Sequence, residues 1–335
     1  MAHWLIYALG GGWGHLNRAI SLGRRAAVHH QVSILTNSPY ANWVQTQIQA
    51  GALNSVACRP HLELQILPTQ PATEIHHHIQ TLVLNTAFDR FIVDTFPRGL
   101  GGELVDCLPQ LTVPKIFVHR ALHPDYVKVK NLRSWVAQQY DLVLIPGEPA
   151  DACLSDLPLA SITAPWLMWS HLELAAPKAI GSMQPMVMVC AAGNLDELAF
   201  WGDLTLKLQS AFPSIKICCL AFQQPPGCPA DAWMHHWPGM AVLQQADVIV
   251  GGAGYNTVFE AAALNIPLIT FAFDRLYDNQ RQRAMRWAYL VESVEEAIAT
   301  LTVLLQTHQR QQPQSYLNGV DQAVPLIEAL HSTNA

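Results

Sequence analysis

The sequence predicts an α/β protein built as two doubly wound halves, each around a mainly parallel sheet. Three observations carry this reading. Short apolar runs alternate with longer amphipathic ones, the arrangement that crossover units require. The alternation breaks in a stretch dense in proline, at Pro146, Pro149, Pro158, Pro165, Pro177 and Pro185, and resumes beyond it. The chain has 335 residues, which at about 150 residues per domain is enough for two cores. The expected division is residues 1–160 and residues 161–335, with a final helix near Val324 to His331 that can return to the first half.

Taken in order, the apolar runs of the first half read as strands at Trp4 to Leu9, Gln31 to Thr36, Arg90 to Asp94, Lys115 to His119 and Leu142 to Ile145. Those of the second half lie at Met186 to Cys190, Ile215 to Leu220, Val248 to Val250 and Leu268 to Phe271. Helical periodicity marks Leu195 to Ala211, Thr257 to Leu264, Asn279 to Ala288 and Val294 to Thr307. Doubly wound halves bind ligands at the carboxyl ends of their strands, so two such halves facing each other would enclose a cleft.

Composition removes several classes. Half of the residues are hydrophobic and 13% are charged, which does not describe a disordered chain. Nineteen basic residues stand against 25 acidic ones, a formal charge of −6, and no run of Lys or Arg offers a nucleic acid a footprint. The seven cysteines are odd in number and form no C-x-x-C pair; Cys190, Cys218 and Cys219 lie inside strand-like runs, which points to buried reduced thiols and a cytoplasmic protein. Met1 to Leu9 has no basic region of the kind a signal peptide carries. The most membrane-like stretch, Val248 to Phe273, is broken by Gly251, Gly252, Gly254, Asn256, Glu260, Asn265 and Pro267, so no spanning helix is expected. Tyr126 to Val136, with Lys128, Lys130 and Arg133, reads as a surface helix, and membrane contact is at most peripheral. The consecutive imidazoles of His76, His77 and His78 point in different directions on a helix, and His235–His236 likewise, so no metal site is expected.

Two glycine loops remain. The first, Gly10-Gly11-Gly12-Trp13-Gly14-His15, joins a strand to a helix whose first amides can face an anion or an incoming hydroxyl. It fails the dinucleotide fingerprint, because His15 stands where a third Gly or Ala is required and the second strand ends at Thr36-Asn37 without an acidic residue. The second follows Val248 to Val250 and reads Gly251-Gly252-Ala253-Gly254-Tyr255-Asn256-Thr257-Val258-Phe259-Glu260. Thr257 and Glu260 have the spacing of a capping box, which leaves the four small residues unexplained; a phosphate lying over bare backbone needs that clearance and the positive end of a helix.

These loops, with Asp278-Asn279-Gln280, resemble the motifs of two-domain nucleotide-sugar glycosyltransferases of the GT-B fold, above all the MurG-like group. Val93-Asp94-Thr95-Phe96-Pro97-Arg98-Gly99, Gly102-Glu103-Leu104 and His119-Arg120 further resemble a bacterial branch of MurG-like transferases. The resemblance implies a nucleotide-sugar donor, UDP-linked as in that group, and no cofactor. Glu260 would hydrogen-bond the ribose; Gly252, Ala253, Gly254, Asn256 and Thr257 would hold the diphosphate, with Gly193 at a further donor loop; and Asp278 and Gln280 would reach the sugar. Gly11, Gly12, Gly14 and Arg120 would form the acceptor side, the acceptor being lipid-linked or a small glycoside. One loop departs from the group: Ala191-Ala192-Gly193-Asn194 stands where a Gly-Gly-Ser-like sequence is usual.

Glycosyl transfer needs a base for the acceptor hydroxyl and stabilisation of the departing diphosphate. No D-x-D metal motif occurs, so loop amides and a helix N-terminus are expected to serve without a metal, aided by Arg275 or Arg281. His15 is the first candidate base because it opens a helix at a strand's carboxyl end and titrates near neutral pH; a residue that merely caps or packs is the competing account. Asp94, also at a strand end, could be the base, orient His15, or accept a turn hydrogen bond. Two other classes stay open, a non-hydrolysing sugar-nucleotide 2-epimerase and a non-catalytic nucleotide-sugar-binding protein.

Overall fold

The computed structural model describes residues 1–53, 61–68, 72–120, 122–147, 152–174, 184–307 and 315–331. The chain divides into two compact units, Met1–Met168 together with Leu317–Ala335, and Trp169–Tyr316.

The first unit carries strands β1 (His3–Tyr7), β2 (Gln31–Thr36), β3 (Leu62–Ile66), β4 (Arg90–Asp94), β5 (Lys115–Val118), β6 (Leu142–Pro146) and β7 (Ala160–Thr163). All pair in parallel, in the order β3-β2-β1-β4-β5-β6-β7. Helices α1 (Trp13–Ala26), α2 (Ala41–Gln49), α3 (Ala72–Asn85), α4 (Pro124–Val129) and α5 (Leu132–Gln139) supply crossovers. The central strands are apolar on both faces because helices cover both, as in Leu5, Ile6, Phe91, Ile92, Ile116, Phe117, Val143 and Leu144. α1 lies close to the sheet at Gly23, where a Cβ would come within 3.0 Å of Leu62 Cδ1.

The second unit has β8 (Met186–Cys190), α6 (Leu195–Ala211), β9 (Lys216–Leu220), β10 (Trp233–Met234), α7 (Met240–Leu243), β11 (Val248–Gly252), α8 (Tyr255–Ala263), β12 (Leu268–Phe271), α9 (Gln280–Trp287), β13 (Tyr289–Leu290) and α10 (Val294–Thr307). Its sheet, also parallel, runs β10-β9-β8-β11-β12-β13. Val187, Val189, Trp201, Leu204, Ile217, Val250, Ile269 and Leu301 form its core.

The last helix, α11 (Gly319–Glu328), belongs to the first unit. It buries Val320, Ala323, Val324 and Ile327, and the Asn318 side chain at its start exchanges two hydrogen bonds with the Leu167 backbone, 3.1 and 2.9 Å. Gly319 is required there, since a Cβ would lie 1.8 Å from the Ala164 carbonyl oxygen.

In each sheet the strand order reverses once, between β1 and β4 in the first unit and between β8 and β11 in the second. Connections on the two sides of such a point leave for opposite faces and open a crevice at the strands' carboxyl ends. The expected strands are present, and β3, β7, β10 and β13 are additional to them. Tyr126 to Val136 is not one helix: the chain breaks between α4 and α5 at Asn131, whose φ is +46°, and Arg133 pairs with Asp156 at 2.6 Å. Cys58 lies outside the described residues, and the other six cysteines are free thiols. Among the described residues no helix is long and apolar enough to cross a membrane.

Candidate active site

Two sets of sequence-predicted residues lie at the two points where strand order reverses. In the first unit, β1 runs into Gly10 and α1 begins at Trp13, so His15 sits in the first helical turn while β4 delivers Asp94 alongside. His15 Nδ1 lies 2.6 Å from Asp94 Oδ2. Arg18, one turn further along α1, donates from Nε to Asp94 Oδ1 at 2.6 Å and from Nη2 to Asp94 Oδ2 at 2.7 Å. Its Nη2 also donates to Thr95 Oγ1 at 2.9 Å, and Thr95 holds a φ of +67°, a conformation costly for a β-branched residue and maintained here by the array around it.

The electrostatics follow from this packing. Burial pushes the Asp94 carboxyl up, but the Arg18 guanidinium and the His15 hydrogen bond outweigh it and hold the group well below the usual carboxylate range. Asp94 is therefore ionised with its oxygens engaged, which makes it a poor proton acceptor. Burial, with the nearby charges of Arg18 and Arg120, pushes the His15 imidazole down from its ordinary value against the pull of Asp94. The ring is neutral near pH 7. With Nδ1–H donating to Asp94, the lone pair is left on Nε2, which has no hydrogen-bond partner among the described residues. Phe96 stacks against the ring at 5.5 Å.

Gly10 is the floor of this arrangement. Its amide donates to Asn37 Oδ1 at 2.8 Å, its φ is +153°, and a Cβ would fall 2.2 Å from His15 Cδ2. Gly11, Gly12 and Gly14 differ: a Cβ on any of them would meet nothing within 4 Å, so their backbone is bare toward open space. Arg120 follows the end of β5, the neighbour of β4, near enough for its charge to be felt at His15.

In the second unit, β11 ends in Gly251 and Gly252 and α8 starts at Tyr255 with Gly254 as its N-cap. No side chain caps this helix, which corrects the capping-box reading of Thr257: that residue lies inside the first turn, where its side chain cannot serve the N-cap position. The side chains of Asn256, Thr257 and Glu260 make no hydrogen bond or ion pair with the described residues. Burial raises the Glu260 carboxyl to about 8, with no cation among the described residues to offset the cost. Cys190, at the end of the adjacent β8, feels its charge. Ala253 is buried, and its carbonyl accepts from Arg283 at 3.1 Å.

The remaining donor residues are tied to their own surroundings. Asp278 is buried and paired with Arg283 at 2.8 Å, and Gln280 Oε1 accepts the Phe273 amide at 3.1 Å, leaving its NH2 donors. Gly193, with φ +134°, lies under Glu197: a Cβ would come 1.7 Å from Glu197 Oε2. Glu197 and Asn194 form a capping box at the start of α6, and Arg275 grips the Glu197 carboxylate through both terminal nitrogens at 2.6 and 2.7 Å. A carboxylate of the protein thus stands where a phosphate would meet α6, matching the departure at Ala191-Ala192-Gly193-Asn194. Arg275 is engaged with Glu197, and Arg281 pairs on the surface with Glu292 at 2.6 Å, so neither guanidinium faces the α8 loop unpaired.

Arg18 was not singled out in the sequence, and Gly10 and Phe96 stood out only as members of their motifs, not as supports of His15. Arg18 was discoverable, since it follows His15 by three residues on one helix face.

No protein-family profile matches the chain, and no curated protein matches it. Solved structures do. CalG4, the calicheamicin glycosyltransferase, aligns with a TM-score of 0.60 at 14% identity, covering 98% of each chain. The spinosyn rhamnosyltransferase SpnG complexed with thymidine diphosphate gives 0.55 at 14% identity, over 98% of this chain and 95% of that one. A UDP-N-acetylglucosamine 2-epimerase gives 0.58 at 13%, over 96% and 94%. With the two parallel α/β units, these define the fold as GT-B, built from two Rossmann-like domains.

Proposed function

We propose that the protein is a nucleotide-sugar-dependent glycosyltransferase, MurG-like in its donor loop, moving a sugar from a UDP-linked donor to an acceptor hydroxyl without a metal. The observation that carries the reading is the Arg18–Asp94–His15 array, which holds a neutral imidazole packed on Gly10 with the Nε2 lone pair unengaged among the described residues. His15 Nε2 takes the proton as the acceptor oxygen bonds to the anomeric carbon, and the bond from that carbon to the diphosphate breaks, releasing UDP. Asp94 fixes the tautomer and steadies the imidazolium that forms, and Arg18 keeps Asp94 ionised. In the second unit, the Ala253 amide is held by the Phe271 carbonyl, so the amides of Gly254 to Thr257 at the uncapped start of α8 meet the developing phosphate charge, while Glu260 receives the ribose hydroxyls. Arg120 and the Gly11, Gly12 and Gly14 backbone serve the acceptor.

The test is UDP release from UDP-sugars, with and without candidate acceptors, in the parent chain and in His15→Ala. Acceptor-dependent release that drops about 10²- to 10⁴-fold in the variant supports the reading. The epimerase among the structural neighbours favours one alternative. Formation of the 2-epimer of a UDP-sugar in the absence of any acceptor would establish it instead.

A further inference from the structure

Glu103, from the motif Gly102-Glu103-Leu104, has no part in the chemistry above, yet it is 3% exposed and makes no ion pair with the described residues. A buried carboxyl group is costly to keep, and an apolar side chain of similar size would fill the space without that cost. Neutral donors hold it. The Tyr7 hydroxyl and the Leu100 amide donate to Oε1, the latter at 3.1 Å, and the Gly101 amide donates to Oε2 at 2.7 Å. The Leu100 amide also reaches the Tyr7 oxygen at 2.9 Å. Burial and the Glu103 charge push the Tyr7 phenol up, so it remains a donor. Gly99, with φ +84°, lies so near that a Cβ would fall 2.6 Å from Glu103 Cδ. The segment from Gly99 to Gly101 is thus wrapped around one carboxyl group.

The wrapping fixes the chain on either side of it. Tyr7 ends β1, and its partner across the sheet is Val93, the residue before Asp94. Beyond Asp94, the Phe96 amide donates back to the Asp94 carbonyl at 2.8 Å, and the Gly99 amide donates to the Phe96 carbonyl at 2.9 Å. The Pro97 carbonyl accepts from the Tyr140 hydroxyl at 2.6 Å. Phe96, between these ties, is the residue stacked on the His15 ring. We infer that Glu103, with Tyr7, is a positioning residue for His15: it closes the turn from Phe96 to Gly101 so that Phe96 covers the imidazole and keeps water from one face. The inference rests on the transferase reading only for His15 being a base. Glu103→Gln would set an NH2 group against one of the three donors, and the turn would part there and withdraw Phe96. Hydration would then lift part of the burial that holds His15 down, and its titration midpoint would rise. Loss of the Glu103 charge by itself acts the other way, since an imidazolium is favoured by a negative neighbour.

NMR of isotope-labelled histidines, with the His15 signals assigned by their loss in His15→Ala, reads this midpoint without any substrate. Glu103→Gln should raise it by about 0.5 pH unit or more, and Tyr7→Phe, which keeps the charge and removes one donor, should raise it by less. Glu74→Gln, on an exposed turn of α3, removes the same charge and should leave it unchanged. In Glu103→Gln the kcat of acceptor-dependent UDP release should fall about tenfold or more with the donor KM unchanged, because misplacing reacting groups by about 1 Å can cost about 10²-fold. If Glu103→Gln does not fold, Tyr7→Phe decides. A midpoint unmoved or lowered in the folded variant, even with stability lost in urea, leaves Glu103 as a packing residue and overturns the inference; an equal rise in Glu74→Gln does the same. Because the titration is read in the free chain, absence of acceptor-dependent UDP release would undo the transferase reading and leave this result standing.

Discussion

Replacing Glu260 with Gln is expected to stabilise the protein and impair it at once. The carboxyl, raised to about 8 by burial from an ordinary 4.5, has no partner among the described residues. A raised carboxyl binds more protons folded than unfolded, so its contribution is fully favourable below pH 4.5 and is lost as pH rises towards 8. At 1.36 kcal/mol per pH unit, the loss at pH 7 is about 3 kcal/mol, or about 2 once partial exposure is allowed for. Glu260→Gln keeps the shape and removes the titration. Urea unfolding should show it more stable by about 2–3 kcal/mol at pH 7 and no different at pH 4.5. UDP calorimetry should show binding weaker by about 1.5–3 kcal/mol, the range for hydrogen bonds to a charged group. In the parent chain, UDP binding at pH 7 should release a proton, seen as an enthalpy that depends on the buffer, because ribose hydroxyls favour the ionised carboxylate. A variant less stable at both pH values, or one with unchanged UDP affinity, would refute the reasoning and leave Glu260 as a packing residue.

The remaining expectations concern the first unit. The rising limb of kcat/KM against pH should have its midpoint below 6.5, because burial and the Arg18 and Arg120 charges lower His15; a midpoint above 7 would contradict the assignment. Gly10→Ala should cut turnover nearly as far as His15→Ala while UDP affinity holds, since the added methyl group displaces the imidazole; unchanged turnover would show that the ring position is not critical. His119, fully buried and pushed down to about 4 by burial, should make stability fall by about 3 kcal/mol as pH drops from 6.5 to 4. His119→Phe should flatten that slope in acid urea titrations, and an unchanged slope would place the acid sensitivity elsewhere.

What the sequence made legible follows from burial. β1, β4, β6, β8, β11 and β12 are covered on both faces and so read as continuous apolar runs. β3 and β7 are partly exposed and mix polar with apolar residues, as in LELQI and ASIT, while β10 and β13 are two residues long. None of these four can announce itself by periodicity. The glycine loops stood out because small residues before a helix are rarely needed for packing alone. His15 and Asp94 were placed together by their positions at strand ends. Which of them takes a proton was not legible, because that turns on Arg18, whose proximity to β4 is a tertiary fact. The capping spacing of Thr257 and Glu260 misled, since the helix begins three residues earlier than that pattern requires, with Gly254 as its N-cap.

The return of α11 to the first unit has a consequence for how the protein is made. The apolar face that Val320, Ala323, Val324 and Ile327 cover, and the partners that Arg25 and His30 find in Asp321 and Glu328, stay unfilled until the entire second unit has left the ribosome. At roughly 5–20 residues per second, that is an interval of roughly 7–30 s. During it the nascent chain holds a second unit free to finish folding and a first unit, the one bearing His15, that is unfinished and open to chaperones. A stop codon or proteolytic cut just before Asn318 would spare the proposed nucleotide site yet strand the proposed catalytic one.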